Sequence, residues 1–457
     1  MNVVFYTLFA NDNTALIPEV WAQEALMILE SNMVMGQLVH RDFEDKIAEF
    51  GDVVNAHRPK TFVAKRKTDA DDVEDQDAQA DKIPVKLDQH LHVSFVIKDG
   101  ELSKGFVNLL NYHLRPALIA HAEGLDRILT GQVYRFLPNV VGKLGVDLTK
   151  STAIAAREKA NNLKIPQQGR YMVLTPNSEG ALLDVGDFMK ANEIGDDGFA
   201  IREAALGRKL GFDFFMDQNA PGIASGSTTV TGAVDEASGS PVGDTTITVD
   251  GLSAAIENGS WCTIAGDMTP QKITGTVGGG TPTSLTIAPG LVSAVADDAV
   301  VTVYTPGAVD EAAGYAAAFV KTLTTDTFTV APKLNQLISI GALAADPNYS
   351  AFGTPTTTAL DLDRPLSAAV ADDAVVGIGP AGNYNFAFHR NAVGLITRPL
   401  AQPIDGTGAL SSVAIYNGLA VRVVITYDGK AQGHRVTVDH LCGVEQLDIN
   451  LGIPVLG

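Results

Sequence analysis

The chain has 457 residues, 53 acidic against 33 basic side chains, a formal net charge of -20 and two cysteines. One hydrophobic core rarely serves such a length, so two or more domains are expected. So acidic a chain is excluded as a tight wrapper of DNA, which needs many neutralising Lys and Arg contacts, although enclosing DNA without gripping it stays open.

Cys262 and Cys442 lie far apart, which excludes a disulfide-rich scaffold and suits a reducing compartment. No stretch approaches the ~20 apolar residues of a membrane span, and MNVVFYTLFANDNTAL at the N-terminus lacks the basic region of a signal peptide.

Residues 16–35 (LIPEVWAQEALMILESNMVM) place apolar side chains at Val20, Trp21, Leu26, Ile28, Leu29 and Met33, with Pro18 near the start. The spacing predicts an amphipathic helix preceded by an extended arm. Residues 51–62 read as a strand. Residues 82–97 (KIPVKLDQHLHVSFVI) alternate at Val85, Leu87, Leu91, Val93 and Phe95 as one returning strand would.

Between them lie a basic half, His57, Arg58, Lys60, Lys65, Arg66 and Lys67, and an acidic half, Asp69, Asp71, Asp72, Glu74, Asp75, Asp77 and Asp81. The acidic half has neither the glycine nor the terminal bidentate Glu of a calcium loop. A long projecting hairpin is predicted, its tip ordered against a neighbouring subunit; a solvated loop is the competing reading. Arg58, Lys65, Arg66 and Lys67 against Asp71, Asp72, Glu74 and Asp75 would supply register more than affinity.

From 113 to 137 (HLRPALIAHAEGLDRILTGQVYRFL), Leu114, Leu118, Ala122, Leu125, Leu129, Val133 and Phe136 recur at steps of three and four. A helix of these 25 residues spans about 37 Å. It is a structural beam, stopped by Pro138 and Asn139. MVLT at 172–175, followed by Pro176 and a helical stretch over 179–189, then predicts an α/β domain beginning near residue 140.

Residues 229–303 and 304–378 read as diverged tandem copies of one unit. GAVDEA at 232–237 returns at 307–312, and LVSAVADDAVV at 291–301 returns as LSAAVADDAVV at 366–376; Gly239/Gly314, Gly266/Gly341 and Leu285/Leu360 share the same offset of 75. β-favouring runs such as 245–249 (TTITV), 261–265 (WCTIA), 284–287 (SLTI) and 300–304 (VVTVY) are separated by turn residues. Each copy is therefore expected to be a small β module, with Trp261 in a core of its own; a disordered linker is the competing reading. Lys272, Lys321, Lys333 and Arg364 are the only basic side chains from Ile223 to Ile378, so the surface repels phosphate.

No GxSxG, HExxH, CxxC or GxxxxGK[ST] pattern occurs, and Gly278 to Gly280 lies in a Thr-rich turn without a phosphate-binding lysine. His90 and His92 share a strand face, and His440 and Cys442 have the same spacing, without a third ligand for a metal. No catalytic, cofactor or metal site is assigned.

TALIPEVWAQEALMILE at 14–30, GDVVNAHRPKTF at 51–62 and NYNFAFHRNAVGLITRPL at 383–400 together resemble the coat proteins of tailed bacteriophages in the family of the Salmonella phage P22 coat. The resemblance covers roughly residues 14–222 and 379–457. It implies an α+β, HK97-like capsid fold with a doubled β-rich insertion in the axial domain. The parts would be an N-terminal arm and helix (1–50), an E-loop hairpin (51–99) and a peripheral domain with spine helix (100–140). The axial domain (141–222 and 379–434) would flank modules 1 (223–303) and 2 (304–378), with a C-terminal segment (435–457) returning toward the peripheral domain. Phe388, His389, Arg390, Asn391 and Ala392 would mark where the scaffold resumes.

The same resemblance implies a major capsid protein without enzymatic activity or cofactor. Its copies would form pentamers and hexamers of an icosahedral shell enclosing double-stranded DNA, located in the virion capsid and assembled in the bacterial host cytoplasm. Expected partners are other copies, a scaffolding protein, a portal, a possible decoration protein and packaged DNA held without specific binding, with no membrane. Lys–Asn cross-links between subunits are not expected. The doubled insert is expected on the outer surface, where it would brace neighbours. A virion-surface β-domain adhesin or decoration protein is the alternative.

Overall fold

The apolar row at steps of three and four becomes the spine of the molecule. Leu118, Ala122, Leu125 and Leu129 are buried along an α-helix, Arg115–Thr130, with Pro116 in its first turn, and the chain continues directly into a 3-10 helix, Gly131–Asn139. The α-helix expected to run to residue 137 thus tightens after Thr130. Gln132 Nε2 donates to Ile128 O at 3.1 Å, engaging by side chain the carbonyl that an α-helix reserves for residue 132's amide. Pro138 has no N–H for Tyr134 O, and Asn348 Nδ2 supplies that donor at 2.9 Å.

The computed structural model describes residues 22–23, 25, 27–29, 33–41, 53–58, 64–67, 75, 81–98, 114–186, 206–224, 228–278, 281–316, 320–326, 328–341, 346–404, 408–416 and 419–457. Within the predicted N-terminal helix, residues 22–23, 25 and 27–29 are helical, and Ala22, Ala25, Ile28 and Leu29 are buried. Met33 and Val34 are not helical, and a separate turn follows, Met35–Leu38. The cause is tertiary: Asp126 of the spine helix accepts from Val34 N at 2.9 Å and Gly36 N at 3.2 Å.

Five strands form an antiparallel sheet beside the spine: Gln89–Lys98, Val393–Arg398, Leu410–Tyr416, Leu419–Asp428 and the long Gly433–Gln446. Val421, Val423, Val436 and Val438 share one core with Leu118 and Leu125. A second, mixed sheet joins Val141–Gly142, Gly452–Leu456, Gly382–His389, Arg170–Leu174, Phe212–Met216 and Arg208–Lys209, in that order, with Gly222–Ile223 on the start of Gly382–His389. The helices Lys150–Asn162 and Pro176–Leu183 begin at Thr149 and Thr175, whose side chains accept from the amides of Thr152 and Ser178. Asn385, fully buried, accepts from Thr175 N at 2.8 Å and donates to Ser178 Oγ at 2.9 Å and Val455 O at 3.0 Å. One amide thereby ties three elements together with its hydrogen bonds satisfied.

The tandem copies fold alike. Module 1 closes Thr229–Val234, Thr246–Asp250, Trp261–Ile264, Gln271–Val277, Ser284–Ala288 and Val300–Tyr304 into a barrel. Module 2 repeats the strand order with Gly307–Ala308, Thr322–Thr324, Leu337–Ile340, Asn348–Phe352, Ala359–Leu362 and Val375–Ile378. Its first and second strands meet through the isolated bridge Val309–Thr325. The repeated motifs lie side by side in each copy: Glu236 N donates to Asp297 Oδ1 at 2.9 Å, and Glu311 N to Asp372 Oδ1 at 3.1 Å. Left-handed backbone recurs at Gly239 and Gly314 and at Asp298 and Asp373.

Trp261 departs from the expectation of a module core. It is buried among residues of the main core, and its Nε1 donates to Ser339 Oγ of module 2 at 2.9 Å, so it seals the seam between modules.

Candidate intersubunit surface

Val53–Arg58 pairs with Asp81–Lys86 in register from Val53 opposite Lys86 to Arg58 opposite Asp81, a sheet of two strands. The single returning strand expected over 82–97 is in fact two. After Lys86 the chain passes Leu87 and Asp88, then Gln89–Lys98 leaves the hairpin and pairs with Gly433–Gln446. The physical reason is packing: Val85 and Leu87 bury with Ile396 and Leu441, pulling the hairpin's root onto the five-stranded sheet. Gly443 makes this approach possible, because a Cβ there would stand 2.4 Å from Lys86 O.

Of the sequence-predicted contact residues, Lys65, Arg66, Lys67 and Asp75 are exposed. Arg58 ends its strand at the register position facing Asp81. Asp71, Asp72 and Glu74 lie outside the described residues.

Sequence reasoning missed the residues that fix the hairpin's base. Lys321 of module 2 donates to Oε1 of the buried Gln89 at 2.7 Å. Burial pushes the neighbouring Asp88 carboxyl up to about 6, against the opposing pull of Lys321 and Lys86. Module 2 also grips the spine: Tyr134 OH donates to Asn335 O at 2.6 Å and Gln132 Nε2 to Asp363 Oδ2 at 3.4 Å. Arg364 bonds Asp363 at 3.2 Å and lies 4.5 Å over the Tyr349 ring. Lys272, in module 1, lies 3.8 Å from Asp346 of module 2. Two of the insert's sparse cations, Lys321 and Lys272, therefore serve seams within the subunit, while Arg364 holds Asp363 inside module 2. The available signal was their rarity in an otherwise base-poor segment.

His90 Nε2 lies 3.4 Å from Asp439 Oδ2, and Arg422 Nε donates to Asp439 Oδ1 at 2.9 Å. The His92 ring is 6.2 Å from that of His90. His440 faces the opposite way, edge-on to His121 of the spine at 5.6 Å. Among the described residues no group of three His, Cys, Asp or Glu is placed to hold a metal. Burial pushes the Cys262 and Cys442 thiols up to about 12, which leaves them unreactive as nucleophiles near neutrality.

No family model and no curated protein matches the chain. Solved structures do. A chain of Mycobacterium phage Che8 is 11% identical with a TM-score of 0.42, covering 92% of this chain and 90% of that one. A chain in the capsid structure of the cyanophage P-SCSP1u is 9% identical with a TM-score of 0.42, covering 93% and 88%. One in the asymmetric unit of the mature capsid of bacteriophage PhiM1 is 10% identical with a TM-score of 0.39, covering 93% and 86%.

Proposed function

We propose that this chain is the major coat subunit of a tailed bacteriophage, of HK97-like fold, and that it reaches neighbouring copies through its hairpin. The observation that carries the reading is the hairpin itself. Among the described residues, Val53–Arg58 has no strand partner except Asp81–Lys86. An isolated pair of strands is marginal in water, and long charged hairpins persist where another surface completes them.

The rest of the subunit suits this use. A continuous α and 3-10 beam gives rigidity. The strands of residues 393–428, expected in the axial domain, share a sheet with Gln89–Lys98 and Gly433–Gln446 beside the beam. They are therefore assigned to the peripheral domain, which leaves the mixed sheet as the axial domain, the carrier of the doubled insert. Identical copies in a closed symmetric arrangement suppress open-ended growth. Pentamers and hexamers then enclose double-stranded DNA without binding it specifically. The chain acts as a structural protein, its location is the virion capsid, and it assembles in the host cytoplasm. A scaffolding protein, a portal and a possible decoration protein complete the set of partners.

Reversal of Lys65, Arg66 and Lys67 to Glu tests the role of the hairpin. The variant should give soluble, folded subunits that do not close shells. Normal particles by electron microscopy would contradict it.

A further inference from the structure

The five-stranded sheet turns one face to the spine, with Val436 and Val438 in the main core, so the odd-numbered residues of Gly433–Gln446 lie on the other face. The hairpin's root covers one end of that outer face, where Val85 and Leu87 pack on Leu441. Arg435 stands six positions from Leu441 along the same strand, about 20 Å away.

That far end is basic, in a chain whose net charge is -20. Lys98 pairs opposite Gly433, and Arg435 opposite Val96, on the outer face. Lys430, in the turn that follows Leu419–Asp428, lines an open groove of about 410 Å³ together with Arg435, Thr426 and Asp428. All three cations are exposed. Arg435 bonds Asp428 Oδ2 at 2.7 Å, whereas among the described residues neither Lys98 nor Lys430 has a carboxylate partner for its ammonium group. The complementary charge is in the same chain: residues 69–81 hold seven carboxylates and no Lys or Arg.

We propose that the acidic half of the hairpin, residues 69–81, docks on the basic outer end of a neighbouring copy's five-stranded sheet, with Lys98, Lys430 and Arg435 as the receiving groups. This rests on the hairpin reading above and names the surface that the hairpin reaches.

Three features favour this occupant over a nucleic acid. Asp428 sits in the groove beside Arg435, and it would repel an unbroken row of phosphates. The carboxylates of residues 69–81 are interrupted by Ala70, Val73, Gln76 and Ala78, which spares Asp428 and brings apolar groups to Val96, 36% exposed opposite Arg435. Every copy that offers the face also brings one acidic segment, so supply matches demand. Hairpin and face are different surfaces of one chain, and a head-to-tail contact of this kind closes into rings where its rotation allows.

Zero-length carbodiimide cross-linking tests it. The purified full chain is mixed from light and heavy isotope-labelled preparations, cross-linked, digested and read by mass spectrometry. Lys98 or Lys430 joined to a carboxylate of residues 69–81 in mixed-isotope pairs is the expected result. Such links in single-isotope pairs only would place the segment on its own subunit and overturn the inference. Links from residues 69–81 to other lysines of a neighbour would overturn it while leaving the hairpin reading intact, and no mixed-isotope link from that segment would overturn both. Charge reversal gives a second readout. Lys98→Glu with Lys430→Glu should keep the circular dichroism spectrum and lose assembly in sedimentation, and adding Asp71→Lys, Asp72→Lys and Glu74→Lys should restore it. Failure of that rescue would contradict the docking. Duplex DNA that binds the wild type but not the Lys98→Glu, Lys430→Glu variant, without the cross-link, would assign the face to nucleic acid instead.

Discussion

Gly443 shows how much of the candidate surface rests on one missing side chain. The Lys86 carbonyl occupies the space a Cβ would need, so Gly443→Val should lift the hairpin's root from Ile396 and Leu441 at a cost of about 1–3 kcal/mol. The subunit should stay folded by circular dichroism but lose shell assembly in sedimentation; normal assembly would show that the root is adjustable. His121 and His440 govern a different seam. Burial, followed by the neighbouring His440, holds His121 down to about 3, and burial holds His440 down to about 4. Neutral imidazoles stabilise the fold above their ordinary 6.5, and that stability drains away as pH falls through the folded values. His121→Phe should move the acid-unfolding midpoint down by about half a pH unit or more, and an unshifted midpoint would count against the assignment. In the sequence, His121 stands three residues after Leu118 and four before Leu125, on the apolar face. That placement was readable, whereas its histidine neighbour on a strand more than 300 residues away was not.

At the scale of elements, periodicity was informative about type and silent about partners. Odd positions from Ile83 to Ile97 keep to the more buried side throughout, so the alternation runs unbroken across Leu87 and Asp88 while the strand changes partner. The tandem copies were legible because sequence identity at a fixed offset forces the same turns and strand order. Their contact with the spine was not, because it depends on side-chain hydrogen bonds such as Tyr134 to Asn335. Module 2 thus acts first as a brace within its own subunit. Lys321→Met should leave the buried Gln89 short of a partner, costing about 1–3 kcal/mol locally. Faster hydrogen exchange at residues 85–91 with module strands unchanged is the outcome that supports this; uniform protection would exclude it. The strand Gln271–Val277 ends in exposed Val277, at the turn before Ser284–Ala288, and limited proteolysis of intact particles should cut there if the insert faces outward. Complete protection would place it at a contact.

The whole molecule joins a stiff beam, two sheets and a braced insert to one charged hairpin that its own subunit leaves without a third strand among the described residues. Individual exposed ion pairs contribute only about 0.2–1 kcal/mol, so a single pair of subunits should associate weakly. Many identical contacts around a closed shell add up, and salt should weaken assembly because such contacts are screened. The most direct measurement is negative-stain electron microscopy of the purified protein, alone and after coexpression with neighbouring phage genes. Closed icosahedral particles that disappear on deletion of residues 68–81 are the predicted result; discrete monomers or trimers under every condition would contradict the shell assignment.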